Sequence, residues 1–230
     1  MEEYYWILRR SPLFDGADEK AVSHILHCME AYVSSYGKGE IICHYGDCIP
    51  YAGIVLEGRV ELVVPGSDGR ESSIRIAGKA DSFGCSHACM PKQPSYMTVI
   101  AKKKTKILFL KLAKLFCPEA IGCRFASLLT ANLLKQTAGA NLQQNRRIHI
   151  MSQKSIREKL FMLLEQSGAG ERDGRVELSM NRQELADYLG VERSALSREM
   201  ARMKKQGLID YHRSEIVMCK ALETELRARA

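Results

Sequence analysis

No apolar run in this 230-residue chain approaches the roughly 20 residues that a membrane-spanning helix requires; stretches such as Ile107 to Leu110 and Phe161 to Leu164 are far shorter. A soluble protein with no membrane partner is therefore expected. A secretory leader is lacking as well, because MEEYYWILRR opens with two acids and then aromatics where such a leader shows basic residues and a long apolar core. That predicts a cytoplasmic location. Internal repeats, low-complexity tracts and long flexible linkers are also missing. The composition, 46% hydrophobic and 27% charged, excludes disorder and fibre, and the length suits one large domain or two unequal ones.

Cysteine is plentiful: Cys28, Cys43, Cys48, Cys85, Cys89, Cys117, Cys123 and Cys219. Disulfide frameworks belong to short secreted chains that cannot build a core, so reduced thiols are expected here. The formal charge of +7 is uneven. Residues 1–100 carry 9 Lys/Arg against 13 Asp/Glu, residues 101–150 carry 10 against 1, and residues 151–230 carry 15 against 13. A basic surplus in the middle and last parts favours an anionic partner such as nucleic acid.

Residues 2–34 read as helical, with Asp18 as an N-cap and Ile25, Cys28 and Met29 at helical spacing. From Tyr36 onward, short β-branched runs alternate with turns such as Gly46-Asp47, Glu57-Gly58 and Ser67-Asp68-Gly69. Turn signals every 8 to 12 residues predict an antiparallel barrel or jelly roll. Val99-Ile100-Ala101 and Lys106 to Leu110 read as a last hairpin around a solvated Lys102-Lys103-Lys104 turn. Pro118 then opens a helical stretch to about Asn145, in which Ile121, Phe125, Leu128, Leu133 and Leu142 form a loose stripe containing Asn132. A narrow seam interrupted by one Asn suggests a self-paired helix, so Phe125, Leu128 and Asn132 are the candidate dimer contacts. Ser155-Ile156-Arg157-Glu158 is a capping-box pattern for a further helix ending near Gln166.

The most specific stretch is Asn181 to Met200, which reads as a helix-turn-helix. Asn181 caps its first helix, Leu185, Ala186 and Leu189 face inward, Gly190 makes the turn, and Val191, Leu196 and Met200 seat the second helix. Arg193, Ser194, Ser197 and Arg198 are left facing outward, which suits a major groove, where Arg pairs bidentately with guanine. Arg182 and Gln183, at the start of the first helix, are candidate contacts to the phosphate backbone. Leu208 to Tyr211 and Glu215 to Met218, flanking His212-Arg213-Ser214, look like a β-hairpin wing, with Val176-Glu177-Leu178 as its third strand.

In this order of parts, and in Arg182-Gln183-Glu184, Ser197-Arg198 and Gly78-Lys79-Ala80-Asp81-Ser82-Phe83-Gly84, the chain resembles the Crp/Fnr superfamily of bacterial transcription regulators over nearly its whole length. The resemblance implies an α+β architecture in three parts. Residues 1–117 would form an antiparallel β-barrel of the jelly-roll, cyclic-nucleotide-binding-like kind, 118–150 a long dimerisation helix and 151–230 a winged helix-turn-helix. It further implies a non-enzymatic, homodimeric regulator binding double-stranded DNA at an inverted-repeat operator, with RNA polymerase as a partner. Arg198 carries over as a guanine reader, although the family's acidic residue is replaced by Ser194.

The effector cassette departs from the family. Its nucleotide-binding branch has a Glu for the ribose and an Arg for the cyclic phosphate, but here Gly84 is followed by Cys85-Ser86, and Ser95 and Tyr96 stand at the Arg and Ser positions. Leaving a buried phosphate unpaired costs roughly 3 to 5 kcal/mol, so the expected effector is a small molecule other than cyclic AMP, its identity unknown. No cofactor, metal site or catalytic group is assigned. Cys85-Ser86-His87-Ala88-Cys89 carries an alternative: its two sulfurs share a helix face with His87 at the edge, and they are inert if that face is apolar or thiol- and metal-responsive if it is wet and electropositive. A ligand-binding module without DNA binding and a thiol enzyme built on Cys85 and His87 are the remaining rivals.

Overall fold

In the computed structural model the described residues are 4–66, 69, 71–120, 122–168, 175–178, 180–212 and 215–219. They form two compact units, residues 1–139 and 140–230. The first unit begins with the short helix α1 (Tyr5–Leu8), a 3₁₀ turn at Pro12–Phe14 and α2 (Glu19–Cys28), whose Asp18 caps Ala21 N–H at 2.7 Å. The expected single helix over 2–34 is thus broken. Proline at position 12 cannot sit inside a helix, and Tyr32–Tyr36 is strand β1.

Seven more strands follow: β2 (Ile41–Cys43), β3 (Ala52–Glu57), β4 (Val60–Pro65), β5 (Glu71–Ala77), β6 (Ser82–Phe83), β7 (Thr98–Ala101) and β8 (Thr105–Leu110). They form two antiparallel four-stranded sheets, ordered β1-β8-β3-β6 and β2-β7-β4-β5. The jelly roll is therefore a sandwich and not a closed barrel. Period-two alternation explains why β3 and β8 read as unbroken apolar runs. Val55, Ile107 and Phe109 join the inter-sheet core with Val60, Leu62 and Phe83, while Ile54, Leu56, Leu108 and Leu110 point the other way, into the cluster formed with α1 and α2.

The predicted hairpin around Lys102-Lys103-Lys104 does not form, because β7 pairs with β2 and β4 while β8 pairs with β1 and β3. The connection instead crosses between the sheets beside the Glu57-Gly58-Arg59 corner. Buried Thr105 Oγ1 accepts from Arg59 N–H at 3.2 Å, and Lys102 N–H donates to Arg59 C=O at 2.9 Å. Gly58, at φ +92°, must be glycine, since a Cβ there would lie 2.4 Å from Thr105 Oγ1 and 2.6 Å from Lys104 O. Of the predicted turn at Ser67-Asp68-Gly69, Ser67 and Asp68 lie outside the described residues, although β4 and β5 pair as that turn requires.

After β6 comes the short helix α3 (Cys85–Cys89), and after β8 a pair of 3₁₀ turns leads to α4 (Arg124–Met151). This long helix starts later and ends later than predicted. Gly122, at φ +80°, separates it from the Pro118 turn, and nothing in the sequence breaks it at Asn145. The second unit contains α5 (Ile156–Gln166), β9 (Arg175–Glu177), α6 (Arg182–Leu189), α7 (Arg193–Lys205), β10 (Ile209–His212) and β11 (Glu215–Met218), the strands forming one sheet ordered β10-β11-β9. Its core joins Leu160, Leu164, Leu185, Leu189, Leu196, Met200 and Ile216. This is a winged helix-turn-helix.

Candidate nucleic-acid interface and effector site

The second helix of the helix-turn-helix is aimed by what lies under it. Leu196, Met200 and Met203 recur at helical spacing and are fully buried, so the opposite face of α7 is turned to solvent. Arg193, Ser194, Ser197 and Arg198 are all exposed there. Upstream, Asn181 closes a capping box with Glu184, and Gly190 turns the chain in the left-handed conformation at φ +62°. Glu199 is tied inward by Arg157 Nε at 3.0 Å and Arg202 at 3.4 Å, which fixes α7 against the start of α5. Arg157 also reaches Gln206 Oε1 at 2.7 Å.

Two expectations change in detail. Arg182 is not free at the surface: its guanidinium carbon stands 5.0 Å from the centre of the Tyr211 ring and a nitrogen contacts Met200 sulfur, so it braces the wing against the helix pair. Gln183 is exposed and donates to Asp187 at 2.9 Å. Ser194 donates to Glu192 Oε1 at 2.6 Å, so a carboxylate absent from position 194 itself lies beside it at the N-terminus of α7. Sequence reading missed Glu192, and it missed Arg202, which follows Arg198 by one helical turn and is 70% exposed at its side chain.

The cassette is filled by its own side chains. Ser95 Oγ donates to Met97 C=O at 2.8 Å and accepts from Met97 N–H at 3.2 Å, while its backbone pairs with the Gly46-Asp47 turn. Ser86 and Tyr96 face outward, Tyr96 with 57% of its surface exposed. His87 is buried and packs on Tyr96, ring centres 5.4 Å apart, so it does not edge the sulfur pair as expected. Cys85 and Cys89 pack against the apolar cluster that includes Leu112 and Leu129. Burial pushes the Cys85 thiol up to about 11, against smaller opposing effects from Ser82 and the Arg75 charge, and raises Cys89 too. That is the apolar alternative. Among the described residues, no three His, Cys, Asp or Glu side chains gather as a metal site. Gly84 caps α3 at φ +71°, and Gln136 of α4 donates to Ser82 Oγ at 2.6 Å. Arg75 on β5 is a cation near this site that sequence reading passed over.

The candidate dimer contacts are corrected. Asn132 is 4% exposed and gives both amide protons to its own chain, to Leu13 C=O at 3.1 Å and Asp15 C=O at 2.8 Å. Phe125 packs on His24 at 4.7 Å between ring centres, and Leu128 joins the same cluster beside Gly16. All three face the first unit's own core. The exposed positions of α4 include Ser127, Ala131, Leu134, Ala138, Asn141, Asn145 and Ile148, which alternate four and three apart, although residues 137–149 are exposed throughout. Leu134 and Ile148 are 67% and 63% exposed, and Asn145 donates to Asn141 at 2.9 Å.

Two family models match the chain, the cyclic nucleotide-binding domain over residues 33–116 and the Crp-like helix-turn-helix domain over 158–224. Among solved structures, the chain is similar to the c-di-GMP responsive global regulator CLP of Xanthomonas campestris, at TM-score 0.56 and 16% identity, covering 87% of this chain and 99% of that one. It is also similar to the N-terminal domain of a transcriptional regulator from Streptomyces coelicolor A3(2), at TM-score 0.51 and 24% identity, covering 59% and 94%. A curated relative, the potassium channel GORK of Arabidopsis thaliana, is 29% identical over 92 residues, 40% of this chain; the chain spans 11% of that relative's length.

Proposed function

Since the chain belongs to the Crp/Fnr superfamily of transcription regulators, we propose that it acts as a homodimer which reads an inverted-repeat operator through α7 and is controlled by a small molecule other than cyclic AMP. The observation that carries this reading is the outward face of α7. Two arginines and two serines stand exposed on the first two turns of a helix whose other face is fully buried. In this reading Arg198 pairs bidentately with a guanine, Arg193 and Ser197 meet neighbouring base edges or phosphates, and Arg182 positions the wing. Glu192 and Ser194 act as one polar unit at the tip of the helix, with the carboxylate suited to accept from a cytosine amine.

The dimer is supported by the second face of α4. An exposed four-three repeat that holds Leu134 and Ile148, with Asn141 and Asn145 between them, is the pattern of a parallel two-stranded seam in which polar residues fix register. The effector reading rests on the cassette. Its family anchors are replaced by Cys85 and by Ser95, whose hydroxyl is already satisfied, so an anionic effector would meet Arg75 as the nearest cation identified there. The deciding experiment is selection of bound sequences from a random duplex pool, followed by Arg198→Ala. The variant should lose roughly 1 to 3 kcal/mol on the selected inverted repeat and much less on random duplex. Equal losses on both would reduce Arg198 to a phosphate contact.

A further inference from the structure

One cluster of nucleophilic side chains lies outside both sites. In the first unit a cavity of about 570 Å³ is lined by His24, His27, Cys28, Lys114, Cys117 and Cys123 together with Met29, Ala120 and Ala126. His24 and Cys28 sit one turn apart on α2, and Cys28 Sγ lies 3.3 Å from His24 Nε2. Cys123, just before α4, brings its Sγ within 3.6 Å of the same nitrogen. The two sulfurs are therefore separated by no more than the sum of those distances. Phe125 packs on the imidazole, and the Lys114 ammonium adds positive charge beside Cys28 and Cys117. Cys43, Cys85 and Cys89 lie elsewhere, and burial raises their thiols above the ordinary value.

We propose that Cys28 and Cys123 form a peroxide-sensitive dithiol, with His24 as its shared proton acceptor, that closes to a disulfide tying α2 to the start of α4. His24 Nε2 takes the Cys28 proton and the thiolate attacks one oxygen of hydrogen peroxide. An S–O bond forms, the O–O bond breaks, and the departing hydroxide leaves as water with the proton from His24. The Cys123 sulfur then attacks the sulfenic sulfur, forming S–S and breaking S–O, and its own proton leaves with the displaced hydroxide as a second water. Two thiols lose two electrons and the peroxide gains them. Closure to the S–S length of about 2.05 Å needs only local movement, and Gly122, with open space around it and φ +80°, adjoins Cys123.

The test is thiol mapping of the full chain, so its outcome does not depend on DNA binding. Protein treated with a slight excess of hydrogen peroxide is alkylated with iodoacetamide, digested without reductant and read by mass spectrometry. The parent should yield a Cys28–Cys123 linked peptide that is absent from Cys28→Ser and Cys123→Ser proteins of unchanged circular dichroism and Tm. Before oxidation, His24→Gln should slow alkylation of Cys28 by about tenfold or more, leaving exposed Cys48 unchanged. A parent in which Cys28 and Cys123 remain alkylatable when Cys48 is already oxidised would overturn the proposal, as would linkage of Cys28 to Cys117. An unchanged Cys28 rate in His24→Gln removes His24 from the mechanism.

Discussion

Asn132 illustrates how one residue type serves two opposite designs. A lone Asn in an apolar stripe fits an intermolecular seam, but here its amide bonds the carbonyls of Leu13 and Asp15 and closes the loop after α1 onto α4. Removing it leaves two carbonyls unsatisfied, so Asn132→Ala should cost about 1 to 3 kcal/mol in denaturant unfolding and leave the sedimentation coefficient of the folded protein unchanged. A loss of dimer without loss of stability would return Asn132 to the seam. Cys85 makes a similar point about chemistry. Its thiol is raised to about 11, so the stability linked to it is complete below the unfolded value near 8.5 and is lost as pH climbs through 11. Alkylation of Cys85 in the folded protein should accordingly stay slow at pH 8 and accelerate only above pH 10, well after exposed Cys48; equal rates at pH 8 would contradict the burial.

Among the elements, α4 does two jobs on two faces. Its inward residues from Phe125 to Leu133 belong to the first unit's core, whereas Leu134 and Ile148 point away from any neighbour in their own units. Leu134→Glu and Ile148→Glu should each yield monomers that retain their helicity, while Leu128→Glu should unfold the first unit; a dimeric Leu134→Glu/Ile148→Glu double variant by sedimentation would rule out this seam. The second unit was largely legible in the sequence, because caps and turns are local. Asn181 with Glu184, Ser155 with Glu158, and Gly190 all act within one helical turn, and each stands where its spacing predicts. Strand partners were not legible. Val99-Ile100-Ala101 and Lys106 to Leu110 carry the signal of adjacent strands, but whether the chain reverses within a sheet or crosses between sheets is decided by Gly58 and Thr105, 47 residues apart in sequence. The face of α4 was illegible for a related reason: apolar residues occur on both sides, and which side is covered depends on α2 and the Pro12 turn. The same long-range closure brings Cys123 to His24, a pairing that sequence spacing cannot signal.

For the molecule as a whole, charge and symmetry make a joint demand. The last 80 residues carry 15 basic against 13 acidic groups, so this unit has no large bulk field to draw duplex in, and in the proposed homodimer affinity would come from placed contacts on two copies. With two chains paired through α4, the two α7 helices would enter successive major grooves on one side of the duplex, about 34 Å apart, and each half-site would contribute its own base contacts. Operator geometry is then as decisive as sequence. Inserting about five base pairs between half-sites turns them to opposite faces and should lower affinity to that of a single half-site, whereas inserting about ten restores the facing and should recover part of the binding. The measurement is a set of spaced duplexes titrated at fixed salt, with the log–log salt slope recorded for each. The loss at five base pairs should come with a shallower slope, because one chain's phosphate contacts are released as well as its base contacts. Affinity that is indifferent to spacing would mean that each chain reads DNA alone, and the exposed repeat on α4 would then need another explanation.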